Sequence, residues 1–263
     1  VELDIRSPPQ LDRTALERAA IDKLSPQVIP VLDALFEKYE AITARLDADQ
    51  TPVHRSYVQR HLHQIVLCAP FAYRTYAKPL GYAGDYEMVN MIARNGYEGS
   101  SLFAKLFNVW LLQQGSAAAH RNRIEYLTQR LVDETATAAR ASRVARIFNL
   151  GCGPAWEIQH FLAQTQLSNH AQFTLVDFNE ETIQHVSQAL QQEKRRHQRA
   201  TTVEFIKKSV QQVLKEAGRA GALPDSKKYD LIYCAGLFDY LPDQICQRLM
   251  NIMYEWLAPG GLL

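Results

Sequence analysis

The chain has 263 residues, 47% of them hydrophobic and 22% charged, with a formal net charge of +1. This is long enough for one large domain or two small ones around a buried core. The near-neutral charge offers no global attraction to nucleic acid or to an anionic membrane, and no apolar run approaches the ~18 residues of a bilayer span. The first residues, Val-Glu-Leu-Asp-Ile-Arg, lack the basic and apolar regions of a signal peptide, while a leader ahead of Val1 stays open. Cys68, Cys152, Cys234 and Cys246 are scattered, without zinc-knuckle or redox-dithiol spacing, and read as reduced thiols of a cytoplasmic protein with no metal site.

Residues 1–141 are expected to be helical and to form one domain. Over 28–46, Val28, Val31, Leu32, Leu35, Phe36, Tyr39, Ile42 and Leu46 recur at the spacing of one helix face. Thr51-Pro52 reads as an N-cap followed by proline in the first turn, opening a helix to about Leu67 that Pro70 ends. A loop with two glycines, Lys78-Pro79-Leu80-Gly81-Tyr82-Ala83-Gly84-Asp85, precedes helical segments near 86–95 and 100–113, and a long helix covers about 117–139.

After Ser142 the rhythm changes to strands alternating with helices. Strands are expected at 144–150, 173–177, 203–206 and 229–234, with a fifth beginning at Pro259-Gly260-Gly261. Helices are expected near 154–165, 179–198, 209–219 and 243–257. Such alternation requires right-handed crossovers and a parallel sheet covered on both faces. The basic run Lys194-Arg195-Arg196 reads as the solvated end of a helix.

The first strand-to-helix turn carries Asn149-Leu150-Gly151-Cys152-Gly153-Pro154-Ala155-Trp156. Open α/β sheets bind nucleotides at that place, and two glycines let the backbone pass close under a ligand. Trp156 stands where a dinucleotide fingerprint needs its third glycine, which argues against NAD or FAD. S-adenosylmethionine (SAM) has no phosphate and needs only the first two. Asp177, ending the second strand, can accept both hydroxyls of a ribose. The bland alternative is a similar domain that binds nothing at this turn.

With these residues in register, 142–263 resembles the class I SAM-dependent methyltransferases, α/β proteins with a mostly parallel, Rossmann-like sheet of strand order 3-2-1-4-5. The resemblance rests on Asn149-Leu150-Gly151-Cys152-Gly153-Pro154, Leu175-Val176-Asp177-Phe178-Asn179, Lys208-Ser209-Val210, the strand running into Cys234-Ala235-Gly236, and Leu257-Ala258-Pro259-Gly260-Gly261. It implies SAM as cofactor and S-adenosylhomocysteine as product. Gly151 and Gly153, with Asn149 and Pro154 in the same turn, would underlie the methionine part, and Asp177 and Phe178 would hold ribose and adenine. Ser209 and Val210 would flank the adenine, and Cys234 and Gly236 would line the site beside the sulfonium. Asn149 replaces a commonly acidic residue, and Ser209 replaces a common aspartate. The class sheet adds a hairpin after its fifth strand, so the last strands are expected to lie outside this sequence.

Lys78-Pro79-Leu80-Gly81-Tyr82-Ala83-Gly84-Asp85-Tyr86, with His120-Arg121-Asn122-Arg123, is similar to a bacterial methyltransferase subgroup, part of which is associated with synthesis of 3-hydroxypalmitic acid methyl ester. The loop reads equally as a lid supplying Tyr82, Asp85 and Tyr86 to a substrate pocket, or as a turn in which Asp85 caps a helix. Arg121 and Arg123 point in different directions, so one of them, Arg123, is a candidate to face the cleft. Asp239 and Tyr240, after the fourth strand, are further substrate candidates; a helix-entry turn before Pro242 is the alternative. His120 and the His61/His63 pair read as surface histidines, and Trp110 and Trp256 as core. No general base stands out, which favours a small, already ionised carboxylate as methyl acceptor. A non-catalytic SAM-binding scaffold is the alternative from another class. An RNA methyltransferase is disfavoured by charge and by the lack of a basic, aromatic-rich surface signature.

Overall fold

The computed structural model describes residues 12–220 and 224–263; the first residues, read above for a leader signal, lie outside this range. The chain divides into two compact units, Val1–His120 and Arg121–Leu263.

The first unit is helical: α1 (Arg13–Thr43), α2 (Thr51–Val66), α3 (Pro70–Ala77), α4 (Tyr86–Arg94), α5 (Leu102–Gln113) and the start of α6 (Gly115–Arg140). Two expectations need correction. The first helix does not begin near Val28 but runs from Arg13 through Pro26 and Pro30 and stops before Leu46. Each proline removes one backbone hydrogen bond, yet Ile21, Val28, Ile29 and Leu32 pack into clusters with α5 on both sides of them, and that packing holds the helix together. Pro70 does not simply end a helix; it opens α3 at the first-turn position proline favours. At the centre, α5 buries Leu106, Phe107, Val109, Trp110 and Leu112, and Asn108, fully buried, accepts the Phe71 N–H at 2.9 Å.

The second unit holds β1 (Ala145–Leu150), α7 (Trp156–Gln164), β2 (Ala171–Asp177), α8 (Glu180–His197), β3 (Thr202–Lys207), α9 (Val210–Ala220), β4 (Tyr229–Tyr233), α10 (Asp243–Trp256) and β5 (Leu257–Leu262). All strand pairs are parallel, in the order β3-β2-β1-β4-β5. This is the expected Rossmann-like sheet.

Strand alternation sorts the core into two layers. Ile147, Phe173, Leu175, Leu231 and Tyr233 join Ile158, Phe161 and Leu162 of α7, Val186 and Leu190 of α8, and Leu131 and Ala138 of α6. Phe148, Leu150, Val176 and Ile232 meet Val213 and Leu214 of α9 and Leu249 and Met253 of α10. Each sheet face is thus covered by helices, and the strand C-termini stay open as the place where loops converge. Among the described residues no helix is long and apolar enough to cross a membrane.

Candidate SAM-binding site

The site is assembled at the C-terminal ends of β1, β2 and β4. Gly151 and Gly153 both take left-handed backbone conformations (φ 72° and 52°), so the chain folds sharply between β1 and α7. Gly151 and Cys152 donate to the Val176 carbonyl at 2.8 and 3.2 Å, pinning the turn to β2. A Cβ at Gly151 would meet the Leu237 side chain at 3.3 Å, whereas one at Gly153 would meet nothing within 4 Å. Protein packing therefore does not explain the second glycine; the space above it is available to a ligand. Pro154 is buried beside it.

Asp177 is 5% exposed. One carboxylate oxygen accepts the Asn179 N–H at 3.0 Å and the other the Gly153 N–H at 3.3 Å. Burial pushes its pKa up, and the amides of Asn179, Gly153 and Phe178 oppose that shift. A carboxylate offers about four lone-pair sites, so both oxygens retain acceptor capacity beyond these two bonds. Phe178 is exposed next to it. Ser209 caps α9: its Oγ accepts the Gln212 N–H at 3.3 Å, and Gln212 Oε1 accepts the Ser209 N–H at 2.8 Å. This capping pair gives Ser209 a structural role, with Val210 following as the first residue of α9.

At the end of β4, burial raises the Cys234 thiol to about 12. Gly236 is left-handed (φ 97°), and the Arg123 guanidinium sits 3.4 Å from where its Cβ would be. Arg123 thus lies beside the loop that follows β4. Asp239 and Tyr240 lie exposed in a short 3₁₀ turn, Phe238–Tyr240, just beyond.

One cluster was not singled out from sequence. Glu157, in the first turn of α7, is buried under the turn. Its Oε1 accepts the Tyr233 hydroxyl at 2.7 Å and the Asn149 amide at 3.4 Å. Asn149 and Tyr233 are directly paired across β1 and β4. Burial raises the Glu157 pKa, against the Tyr233 hydrogen bond and the Arg123 charge; burial and the Glu157 charge hold the Tyr233 hydroxyl well above the ordinary range. The Asn149 Oδ1 is buried with no hydrogen-bond partner. The signal was present as an acidic residue in an otherwise apolar helix entry, but its direction needs the fold.

In the first unit, Asp85 is 1% exposed, caps α4 through the Met88 N–H at 2.9 Å and pairs with Arg74 Nε at 2.8 Å. Tyr82 and Tyr86 flank it, both partly buried. His61 packs tilted against Tyr57, His63 meets Tyr76 edge-on, and His120 bonds the Ser116 carbonyl. Among the described residues no cluster of His, Cys, Asp or Glu is arranged to hold a metal.

SAM fits the residues present: the open space above Gly153 admits a ligand that a Cβ would meet, and the donor-poor, acceptor-rich Asp177 suits ribose hydroxyls. The family model described as "Methyltransferase domain" matches residues 148–263. No curated protein matches the chain. Among solved structures, the chain is similar to YjhP from E. coli (18% identity, 49% of this chain and 46% of that one, TM-score 0.32). It is also similar to the N-methyltransferase NodS from Bradyrhizobium japonicum WM9, in complex with S-adenosyl-L-homocysteine (18% identity, 67% and 70%, TM-score 0.37). A third is a SAM-dependent methyltransferase from Geobacter sulfurreducens, again with S-adenosyl-L-homocysteine (16% identity, 53% and 53%, TM-score 0.32). The chain spans about half the length of the first of these, 46%. At such scores the likeness is partial, and strand order defines the fold class. Residues 148–263 are therefore similar to the family of methyltransferase domains.

Proposed function

We propose that the protein transfers the SAM methyl group to a small-molecule carboxylate such as a lipid-derived acid. The observation that carries the cofactor half of this reading is the Asp177 carboxylate, buried beside the open turn at Gly153 and held by two backbone amides. Asp177 would hold the ribose, Gly151 and Gly153 would pass under the methionine part, and Phe178 would pack on the adenine.

SAM supplies a methyl group already activated on a sulfonium. The chain's own contribution is position and exclusion of water, the main terms available for an in-line displacement. The groups nearest the end of β4 suit an acceptor that arrives ionised. The Cys234 thiol, at about 12, is protonated at neutral pH and takes no proton. Glu157 is engaged by Tyr233 and Asn149. The Arg123 guanidinium by Gly236 attracts a carboxylate, whether of donor or acceptor. Asp239 and Tyr240 are the proposed acceptor contacts.

The test is to incubate the protein with methyl-labelled SAM and a panel of carboxylic acids, hydroxy acids and amines, and to follow S-adenosylhomocysteine and methyl products by mass. Methyl esters are the expected products. Turnover confined to amines or phenols overturns the carboxylate reading, and tight SAM binding without turnover on any acceptor overturns catalysis itself.

A further inference from the structure

Two buried carboxylates flank the glycine turn, and among the described residues neither has a cation as hydrogen-bond partner. Asp177 is held by the amides of Gly153 and Asn179. Glu157, 7% exposed, is held by the Tyr233 hydroxyl and the Asn149 side-chain amide. Cys152, between the two glycines, feels both acids: burial first, then the Asp177 and Glu157 charges, push its thiol well above the ordinary range. Asn149 is 2% exposed, and its unpaired Oδ1 adds the negative end of a carbonyl dipole to the same cluster. The cation whose charge reaches Glu157 is Arg123 of α6, and among the described residues no ion pair or hydrogen bond joins the two.

Carboxylates are rarely buried without a paired cation, because an uncompensated charge in a dry place is costly. Here neutral donors hold both, so the turn keeps an excess of negative charge when the acids are ionised. SAM and S-adenosylhomocysteine share their ribose, adenine and amino-acid groups and differ by one methyl group and one positive charge. Hydrogen bonds to the shared groups do not tell them apart, whereas a negative field beneath the turn does. Asp177 contributes to that field, but it is also the ribose anchor, which both ligands use. Glu157 has no such second task, so at Glu157 the two effects separate. Resting on the SAM reading of this turn, we propose that Glu157 is a specificity-determining residue that acts through its charge, making the site favour the cationic methyl donor over its neutral product. Once the methyl group has left, the charge that favoured the donor has gone with it, and fresh donor displaces the product.

Calorimetry on the full chain with SAM and with S-adenosylhomocysteine tests this without any turnover. Glu157→Gln removes the charge but keeps the side-chain length and an oxygen for the Tyr233 hydroxyl. The ratio of SAM affinity to S-adenosylhomocysteine affinity should fall by about tenfold, the effect of one unit charge at intermediate dielectric. A fall of less than about threefold overturns the proposal, as does an equal loss for both ligands, the mark of a purely structural role. The wild-type protein gives a second measure that needs no variant to fold. Burial raises the Glu157 pKa, so its ionised form, and with it the preference for SAM, is present at mildly alkaline pH and lost as pH falls through the raised value. Burial raises Asp177 as well, and the Glu157→Gln profile isolates its share. Tyr233 and Cys152 are held neutral over this range, and an arginine keeps its charge, so Arg123 adds no pH dependence. An affinity ratio that is flat with pH in the wild type overturns the proposal. If both ligands bind and the ratio is flat, the SAM reading stands while the role of Glu157 falls; if neither binds, both fall.

Discussion

The sharpest perturbation is Asp177→Ala. The carboxylate is 5% exposed, and its fixed bonds to Gly153 and Asn179 orient both oxygens before any ligand arrives. A ribose bound there would gain charge-assisted hydrogen bonds in a largely dry site, each worth about 1.5–3 kcal/mol. Removing the carboxylate should therefore weaken SAM binding from about tenfold to somewhat over a hundredfold. Asp177→Asn keeps one acceptor oxygen and the side-chain volume, so its loss should be smaller. Calorimetry with SAM and S-adenosylhomocysteine measures both. The pH dependence provides a second reading. Burial raises the Asp177 pKa, so its carboxylate gains a proton earlier on acidification than an ordinary aspartate does. Affinity should then be full above that raised value and fall as pH drops through it, by up to about tenfold per unit, while Asp177→Asn should be flat over the same range. Unchanged affinity in Asp177→Ala would remove the ribose assignment and, with it, the cofactor pose.

Gly153→Val should abolish SAM binding while the domain still folds. A Cβ there meets no protein atom within 4 Å, and the left-handed φ of 52° costs about 1–2 kcal/mol, so thermal unfolding should move by only a few degrees; normal binding would show the glycine serves only the turn. Tyr233→Phe removes the 2.7 Å donor to buried Glu157 and should cost about 1–3 kcal/mol at neutral pH. The folded-state pKa of Glu157 is raised, so the protonated form is the one the fold favours; its stabilising contribution is present below the unfolded value and is lost as pH rises through the folded one. The melting-temperature gap between variant and wild type should therefore narrow on acidification, and a constant gap refutes a burden on ionised Glu157. In the first unit, Asp85→Ala should lower stability through the lost cap and the lost partner of Arg74, read as a fall in melting temperature. An unchanged melting temperature in Asp85→Ala would show that neither the cap nor the ion pair carries weight.

The sheet was legible because its information is local and repetitive. β1, β2 and β4 are short apolar runs, the turns after them carry glycine or an acidic end residue, and handedness leaves little freedom in strand order once five parallel strands alternate with helices. The helical half was less legible at its breaks. α1 passes through Pro26 and Pro30 because Ile21 before them, Val28 and Ile29 between them and Leu32 after them are held by α5. Proline's local cost is fixed, while the compensating burial depends on a helix some eighty positions away. Pro70 fails in the opposite direction: the same residue stops one helix or starts another, and only the following Phe71, which donates to buried Asn108, favours a start.

The site divides along the same line. Gly151, Gly153 and Asp177 could be placed because their spacing follows from the strand-turn-helix unit itself, and they do meet at the ends of β1 and β2. Glu157 could not, because an acid in the first turn of a helix normally faces water and complements the helix dipole. Here it points inward, and what turns it there is the pairing of Asn149 with Tyr233 across β1 and β4, two polar residues on an otherwise apolar face. Three polar groups buried together stabilise one arrangement only if each satisfies another. Glu157 does so at Oε1, yet the Asn149 Oδ1 is left without a partner directly under the glycine turn. An acceptor oxygen kept dry and unpaired at that point is a standing cost to the fold.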